Sequence, residues 1–189
     1  MSDQRFAQAP GQQLSAEQTA WLKDRIRAVP DYPQPGILFR DITPLLQDAH
    51  ALRLVLEVFA ARYRDAHIDQ IVGIESRGFI FGTPLAYMLG TGFVPVRKKG
   101  KLPFSTIEQE YALEYGAATL EVHTDAVRPG QRVLIVDDLL ATGGTTEGSV
   151  KLMQRLGAHV VGLAFLSEVE ALGGRLRLPG QDVFAILSY

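Results

Sequence analysis

Residues Val133 to Thr146 read Val-Leu-Ile-Val-Asp-Asp-Leu-Leu-Ala-Thr-Gly-Gly-Thr-Thr, and this stretch restricts the fold more than any other. Four aliphatic residues in a row predict a fully buried strand. Two carboxylates, Asp137 and Asp138, stand at its C-terminal end. A small, hydroxyl-rich turn follows, Ala141-Thr142-Gly143-Gly144-Thr145-Thr146, and then a helix-compatible run from Glu147 to Leu156. The backbone N–H groups of such a turn and of the first helical turn have no partners within the helix, and the helix dipole favours an anion in front of them. Gly143 and Gly144 let the backbone approach a ligand closely. The hydroxyls of Thr142, Thr145 and Thr146 add donors. Carboxylates accept from vicinal hydroxyls, whereas a phosphate needs donors. The two halves of the stretch therefore suit a sugar diol and a phosphate side by side.

Other phosphate motifs do not fit. The turn lacks the Gly-Lys-Ser/Thr ending of a P-loop and the Gly-x-Gly-x-x-Gly of a dinucleotide fingerprint. An acid pair alone could be a metal site, a helix-capping pair or mere chance; the strand before it and the turn after it favour the phosphate reading.

The rest of the chain supplies a frame. Its 189 residues fit one domain, 1–189, with a real core. Hydrophobic residues make up 47% and charged residues 21%, an ordinary globular balance. A net charge of -2 gives no general pull toward nucleic acid. No apolar run reaches membrane-spanning length, and the polar, Gln-rich start has no signal-peptide core, so the cytoplasm is the expected compartment. There are no cysteines, and the four histidines, at 50, 67, 123 and 159, lack metal-ligand spacing.

Residues 1–14 read as a loose tail. Ser15-Ala16-Glu17-Gln18 predicts a capping box that opens a helix running to about Val29. Pro30, Pro33, Pro35 and Gly36 predict an irregular loop through Asp41. Asp48 can cap a helix in which Leu52, Val55, Leu56, Phe59 and Tyr63 recur at helical spacing. Strands are expected at Ile68–Ile74, Phe93–Val96, Thr119–Val122, Val160–Phe165 and Val183–Leu187, with a helix over Phe79–Leu89. Residues 98–115 read as a long, polar, unpatterned loop. Alternating strands and helices predict an α/β fold, a mostly parallel sheet covered on both faces. In such sheets ligands bind beyond the C-terminal strand ends. The turns after Ile74, Val96 and Val136 all belong to that edge and are expected to converge.

The Val133–Thr146 stretch resembles the phosphoribosyl pyrophosphate signature of type I phosphoribosyltransferases. That likeness implies the fold of the family, with a small N-terminal hood at about 30–45 and a flexible catalytic lid at 98–115. It also implies that Asp137 and Asp138 contact the ribose 2- and 3-hydroxyls, and that Ala141, Thr142, Gly143, Gly144 and Thr145 wrap the 5-phosphate. Glu75-Ser76-Arg77-Gly78 matches the family's pyrophosphate turn, which assigns pyrophosphate to Ser76, Arg77 and Gly78; the forked donors of Arg77 suit that anion. Three further segments resemble the adenine-specific branch of the family. Arg97-Lys98-Lys99-Gly100-Lys101 matches a basic stretch that reaches pyrophosphate, partly across a homodimer interface, through Arg97, Lys98 and Lys101. Leu113-Glu114-Tyr115-Gly116 matches the end of the lid, where Glu114 would exchange a proton with the purine and Tyr115 would close over the site. Pro35 to Asp41 matches the hood: Phe39 would stack on adenine, the Leu38 backbone would read its edge, and Arg40 would help hold it.

The resemblance implies that the chain forms AMP and pyrophosphate from adenine and phosphoribosyl pyrophosphate through an oxocarbenium-like transition state. Mg²⁺ would be held mainly by substrate and water, with no direct protein ligand. Two rivals stand beside it: the same reaction on a 6-oxopurine, and a regulatory protein that keeps the ribose-phosphate site but binds nucleic acid. The Leu38-Phe39-Arg40 hood opposes the first, and the net charge opposes the second.

Overall fold

The structure is a computed structural model that describes residues 14–112 and 117–189. The chain divides into two compact units, one ending at Arg62 and the other beginning at Tyr63.

In the first unit, helix α1 (Ala16–Lys23) opens on the expected capping box. The Ser15 hydroxyl accepts from the Gln18 amide at 3.1 Å, and the Gln18 side chain accepts from the Ser15 amide at 2.9 Å. The helix stops at Lys23, short of the expected Val29. Residues Arg27–Pro30 form strand β1, paired antiparallel with β2 (Leu38–Asp41), so part of the expected loop is also a strand. The β-branched Val29 and the ring of Pro30 suit an extended backbone, and the ladder to residues 38–41 provides the hydrogen-bond partners. Phe39 on β2 meets Tyr32 edge-on, with ring centroids 5.1 Å apart. After the short helix α2 (Thr43–Gln47), Asp48 starts α3 (Ala49–Tyr63) by accepting from the His50 and Ala51 amides at 2.9 and 3.2 Å.

The second unit is built on a seven-stranded sheet of order β5-β6-β4-β3-β7-β8-β9. Its parallel part joins β3 (Gln70–Ile74), β4 (Gly92–Lys98), β7 (Arg132–Leu140), β8 (His159–Glu168) and β9 (Val183–Ser188). Strands β5 (Thr106–Ala112) and β6 (Ala117–His123) extend it antiparallel beyond β4. Alternate residues along each strand serve opposite faces. Val72, Ile74, Val133 and Ile135 share a core with Val150, Leu152 and Met153 of helix α5 (Gly144–Arg155). On the other face, Ile71, Gly73 and Phe93 meet helix α4 (Gly78–Leu89), where Gly82 allows the close approach.

Strand β5 lies where the sequence reads as an unpatterned loop. Its charged run hides a period of two: Ile107 and Tyr111 pack against the core while Glu108 and Glu110 face out. It is held by an Arg155 guanidinium bond to the Glu108 carbonyl and by a 2.7 Å ion pair between Lys99 and Glu108. Gly148 leaves room for Tyr111 against α5.

Candidate active site

The C-terminal edge of the parallel sheet forms the site. Strand β3 pairs with β7 only as far as Val136, so β7 parts from β3 just before Asp137 while it stays paired with β8 as far as Leu140. Helix α4 begins directly across from this point. A Cβ on Gly78 would sit 2.5 Å from the Val136 carbonyl oxygen, so glycine is what permits the turn after β3 to abut the acid pair. The peptide between Glu75 and Ser76 is cis.

A cavity of about 340 Å³ opens here, within the size range of small-molecule sites. Ser76, Arg77, Lys98, Asp137, Asp138 and Thr145 all line it, which brings the turns after β3, β4 and β7 onto one space. A smaller recess of about 70 Å³ adjoins it, lined by Ala141, Thr142, Gly143, Gly144, Thr145 and Thr146 together with Asp137 and Leu139. The recess lies at the N-terminus of α5, and Gly143, at φ +83°, takes the left-handed conformation at its N-cap. Unpaired helix amides with glycine at the cap form an anion seat the size of one phosphate group.

Charge is graded across the cavity. Burial, then the charge of neighbouring Asp138, pushes the Asp137 carboxyl well above the usual aspartate range, while Arg77 opposes the shift. Asp138 is only 4% exposed and accepts from the Arg77 Nε at 2.5 Å. The Asp138 amide in turn donates to Asp137 Oδ1 at 2.9 Å. The acid pair is thus held away from water with the Arg77 guanidinium beside it, and both residues line the cavity.

Two further carboxylates organise the basic segment. Glu75 accepts from Arg97 Nε and Nη2 at 3.2 and 3.3 Å and from the Lys98 amide at 3.0 Å. Burial raises its pKa, but these bonds outweigh it and hold the group below its ordinary value. Glu121, 3% exposed on β6, accepts from the Lys101 and Leu102 amides, both at 2.7 Å. Burial again works upward, and the backbone donors again win. Arg97 also donates to the Lys101 carbonyl at 3.0 Å. Of the three cations of the basic segment assigned to pyrophosphate, Lys98 lines the cavity, whereas Arg97 is engaged in holding the Lys98–Lys101 turn and Lys101 supplies that turn's backbone.

Leu38, Phe39 and Arg40 lie on β2 of the first unit. Glu114 and Tyr115 fall outside the described residues. Tyr111, Glu75 and Glu121 are the site residues that sequence reading missed. The alternation of Ile107, Gln109 and Tyr111 would have pointed to the first; nothing local marks the two glutamates, whose partners are about 20 residues away in the chain.

Known proteins share this fold. Residues 43–177 match the family model of the phosphoribosyl transferase domain. An adenine phosphoribosyltransferase of Cupriavidus taiwanensis is 57% identical over 162 residues, covering 86% of this chain and 85% of that one. The crystal structure of an adenine phosphoribosyltransferase from Rhodothermus marinus superposes with a TM-score of 0.89 at 52% identity, over 93% of this chain and all of the other. The Saccharomyces cerevisiae enzyme, solved with adenine and an imino-altritol bisphosphate, gives a TM-score of 0.87 at 38% identity over 92% of this chain and all of the other.

Proposed function

The chain belongs to the adenine phosphoribosyltransferase family, and on that premise we propose how it makes AMP and pyrophosphate from adenine and phosphoribosyl pyrophosphate. The observation that carries the reading is the meeting, in one cavity, of an acid pair, a helix-capping anion recess and two cations on separate turns. The recess takes the 5-phosphate on the amides of Ala141 to Thr145. Asp137 and Asp138 accept from the ribose 2- and 3-hydroxyls, which fixes the ring with its anomeric carbon toward Ser76 and Arg77. Arg77 and Lys98 hold the pyrophosphate as it departs, and Glu75 and Glu121 keep the Lys98–Lys101 turn in place for it. Positive charge grows on the ribose ring in an oxocarbenium-like transition state, close to two desolvated carboxylates that stabilise it.

Phe39 stacks on adenine. The Leu38 backbone reads the amino edge, with Arg40 beside it; a backbone carbonyl accepts from an exocyclic amine and rejects a 6-oxo group. Glu114 exchanges the purine proton, and Tyr115 closes the lid against water.

No group of three or more His, Cys, Asp or Glu side chains suited to a metal occurs among the described residues. Asp137 and Asp138 at the cavity would hold Mg²⁺ only through its waters, the ion being held mainly by substrate. When bound, Mg²⁺ supplies charge neutralisation on the leaving pyrophosphate. The proposed compartment is the cytoplasm.

The decisive experiment measures AMP and pyrophosphate formation with adenine, hypoxanthine and guanine in parallel. Product from adenine alone is expected; product from an oxopurine would overturn the hood assignment, and nucleic-acid binding without turnover would favour a regulatory protein. Glu114→Ala should lower kcat about a hundredfold with little change in KM for phosphoribosyl pyrophosphate. An unchanged kcat would remove Glu114 from the proton transfer.

A homodimer belongs to the same reading. Helix α4 carries no charged residue, yet Ile80, Tyr87 and Met88 are exposed along it, and Tyr87 is 88% exposed. An apolar face with no charge of either sign suits a second copy of itself. Sedimentation should give the mass of two chains, and Tyr87→Glu should return it to one; a monomeric parent would refute the interface.

A further inference from the structure

The segment after β8 touches no part of the cavity, yet it backs the recess. Strand β8 ends at Glu168, a carboxylate only 4% exposed. Arg175 grips it with both arms of its guanidinium: Nε lies 2.8 and 2.9 Å from the two carboxylate oxygens, and Nη2 lies 2.7 Å from Oε2. Its Nη1 donates to the Val183 carbonyl at 2.9 Å, which ties the grip to β9. Between these two residues the chain folds back through 3-10 turns at Glu170–Leu172 and Gly174–Arg177, with the Val169 amide bonded to the Leu140 carbonyl at 3.0 Å.

This fold-back presses glycine on glycine. A Cβ on Gly143 would stand 2.5 Å from the Gly174 carbonyl oxygen, and a Cβ on Gly174 would collide with the Ala141 carbonyl oxygen and lie 2.9 Å from Leu140 Cδ1. Neither facing residue can carry a side chain without displacing the other strand of chain. Arg177 adds a long contact, 3.9 Å, to Glu147 in the first turn of α5. A turn containing two adjacent glycines has more conformational freedom than any other and gains preorganisation only from what it rests on. Here it rests on Gly174.

We infer that Gly174 and Arg175 are positioning residues for the 5-phosphate recess: the Glu168–Arg175 pair fixes the Gly173-Gly174 backbone, and that backbone fixes Ala141 to Gly143. The inference rests on the reading of Ala141–Thr145 as the phosphate loop. Neither residue touches the substrate. Their effect falls on the half of the reaction that uses ribose 5-phosphate and spares the base.

The test compares Gly174→Ala, Arg175→Met and Arg175→Lys in the full-length chain. Hydrogen exchange at the amides of 141–146 is read alongside calorimetric binding of ribose 5-phosphate and of adenine. Gly174→Ala and Arg175→Met should speed exchange in the loop and weaken ribose 5-phosphate binding roughly tenfold or more, as misplacement by about an ångström does elsewhere. Adenine affinity should hold, and Arg175→Lys should recover most of the loss. Removing the partner of a buried carboxylate can unfold a chain; Gly174→Ala leaves the Glu168–Arg175 pair intact and tests the loop contact by itself. Unaltered loop exchange in Gly174→Ala would overturn the inference, as would equal losses of ribose 5-phosphate and adenine affinity. If the parent chain does not bind ribose 5-phosphate, the phosphate-loop reading fails, and the exchange rates still decide whether this segment holds the loop.

Discussion

Replacing Asp137 and Asp138 together by asparagine is expected to cut kcat/KM for phosphoribosyl pyrophosphate about 10²- to 10⁴-fold. In the proposed mechanism each carboxylate accepts from a ribose hydroxyl in a desolvated cavity, and hydrogen bonds to charged groups contribute about 1.5–3 kcal/mol each. The fold should not suffer in parallel. Burial and the Asp138 charge raise the folded-state pKa of Asp137 above its unfolded value. For a carboxyl shifted in that direction, the folded state binds protons more tightly. Its stabilising contribution is full below the unfolded pKa and is lost as pH rises through the folded pKa. As pH rises above the unfolded-state pKa, Asp137 therefore becomes a growing cost to the empty protein, and the single variant Asp137→Asn should gain in melting temperature over the parent across that rise. Asparagine keeps the Oδ1 that accepts from the Asp138 amide. Thermal melts from acid to neutral pH, with substrate kinetics on the same samples, separate the two effects. Undiminished substrate affinity in the double variant would refute the diol assignment, and a melting gap that narrowed with pH would refute the electrostatics.

How far the fold was legible depends on whether the signal was local. Strand β7, its acid pair, the glycine turn and α5 could all be read because a strand buried on both faces needs an unbroken aliphatic run and an anion seat needs glycine and hydroxyls just there. The capping box at Ser15 and the cap at Asp48 are local in the same sense. The end of α1 was not legible, since Arg27 to Val29 tolerate either backbone and only pairing with residues 38–41 decides. Strand β5 was masked by Glu108, Gln109 and Glu110, whose polarity reads as loop unless the strand's contact with α5 is known. The buried and half-buried glutamates were least legible of all. Glu75, Glu121 and Glu168 are stable inside only because of Arg97, the Gly100–Leu102 amides and Arg175, and these pairings exist only after folding. Gly174 likewise reads as loop punctuation until the fold sets it against Ala141 and Gly143.

The second large effect belongs to Arg77. In the structure its guanidinium pairs with Asp138, and in the proposed mechanism it also meets the departing pyrophosphate, so Arg77→Ala removes one cation from two tasks. Losing a preorganised donor at the leaving group should lower kcat/KM about 10²- to 10³-fold. The second task has its own signature. Arg77 is the positive charge that opposes the upward shift of Asp137. A nearby cation favours the ionised carboxylate, so its removal raises the pKa further, and an acid pair that binds the diol only when ionised will need a higher pH to do so. The acid limb of the kcat/KM profile for phosphoribosyl pyrophosphate should therefore move upward, by about one pH unit or more. Arg77→Lys separates the tasks: it keeps the charge and should restore the limb toward its original position, but it lacks the planar fork and should leave much of the rate loss in place. A limb that stays fixed in Arg77→Ala would mean that the acid pair is kept ionised by something other than Arg77. Full recovery of rate in Arg77→Lys would mean that the pyrophosphate turn needs only a point charge at this position.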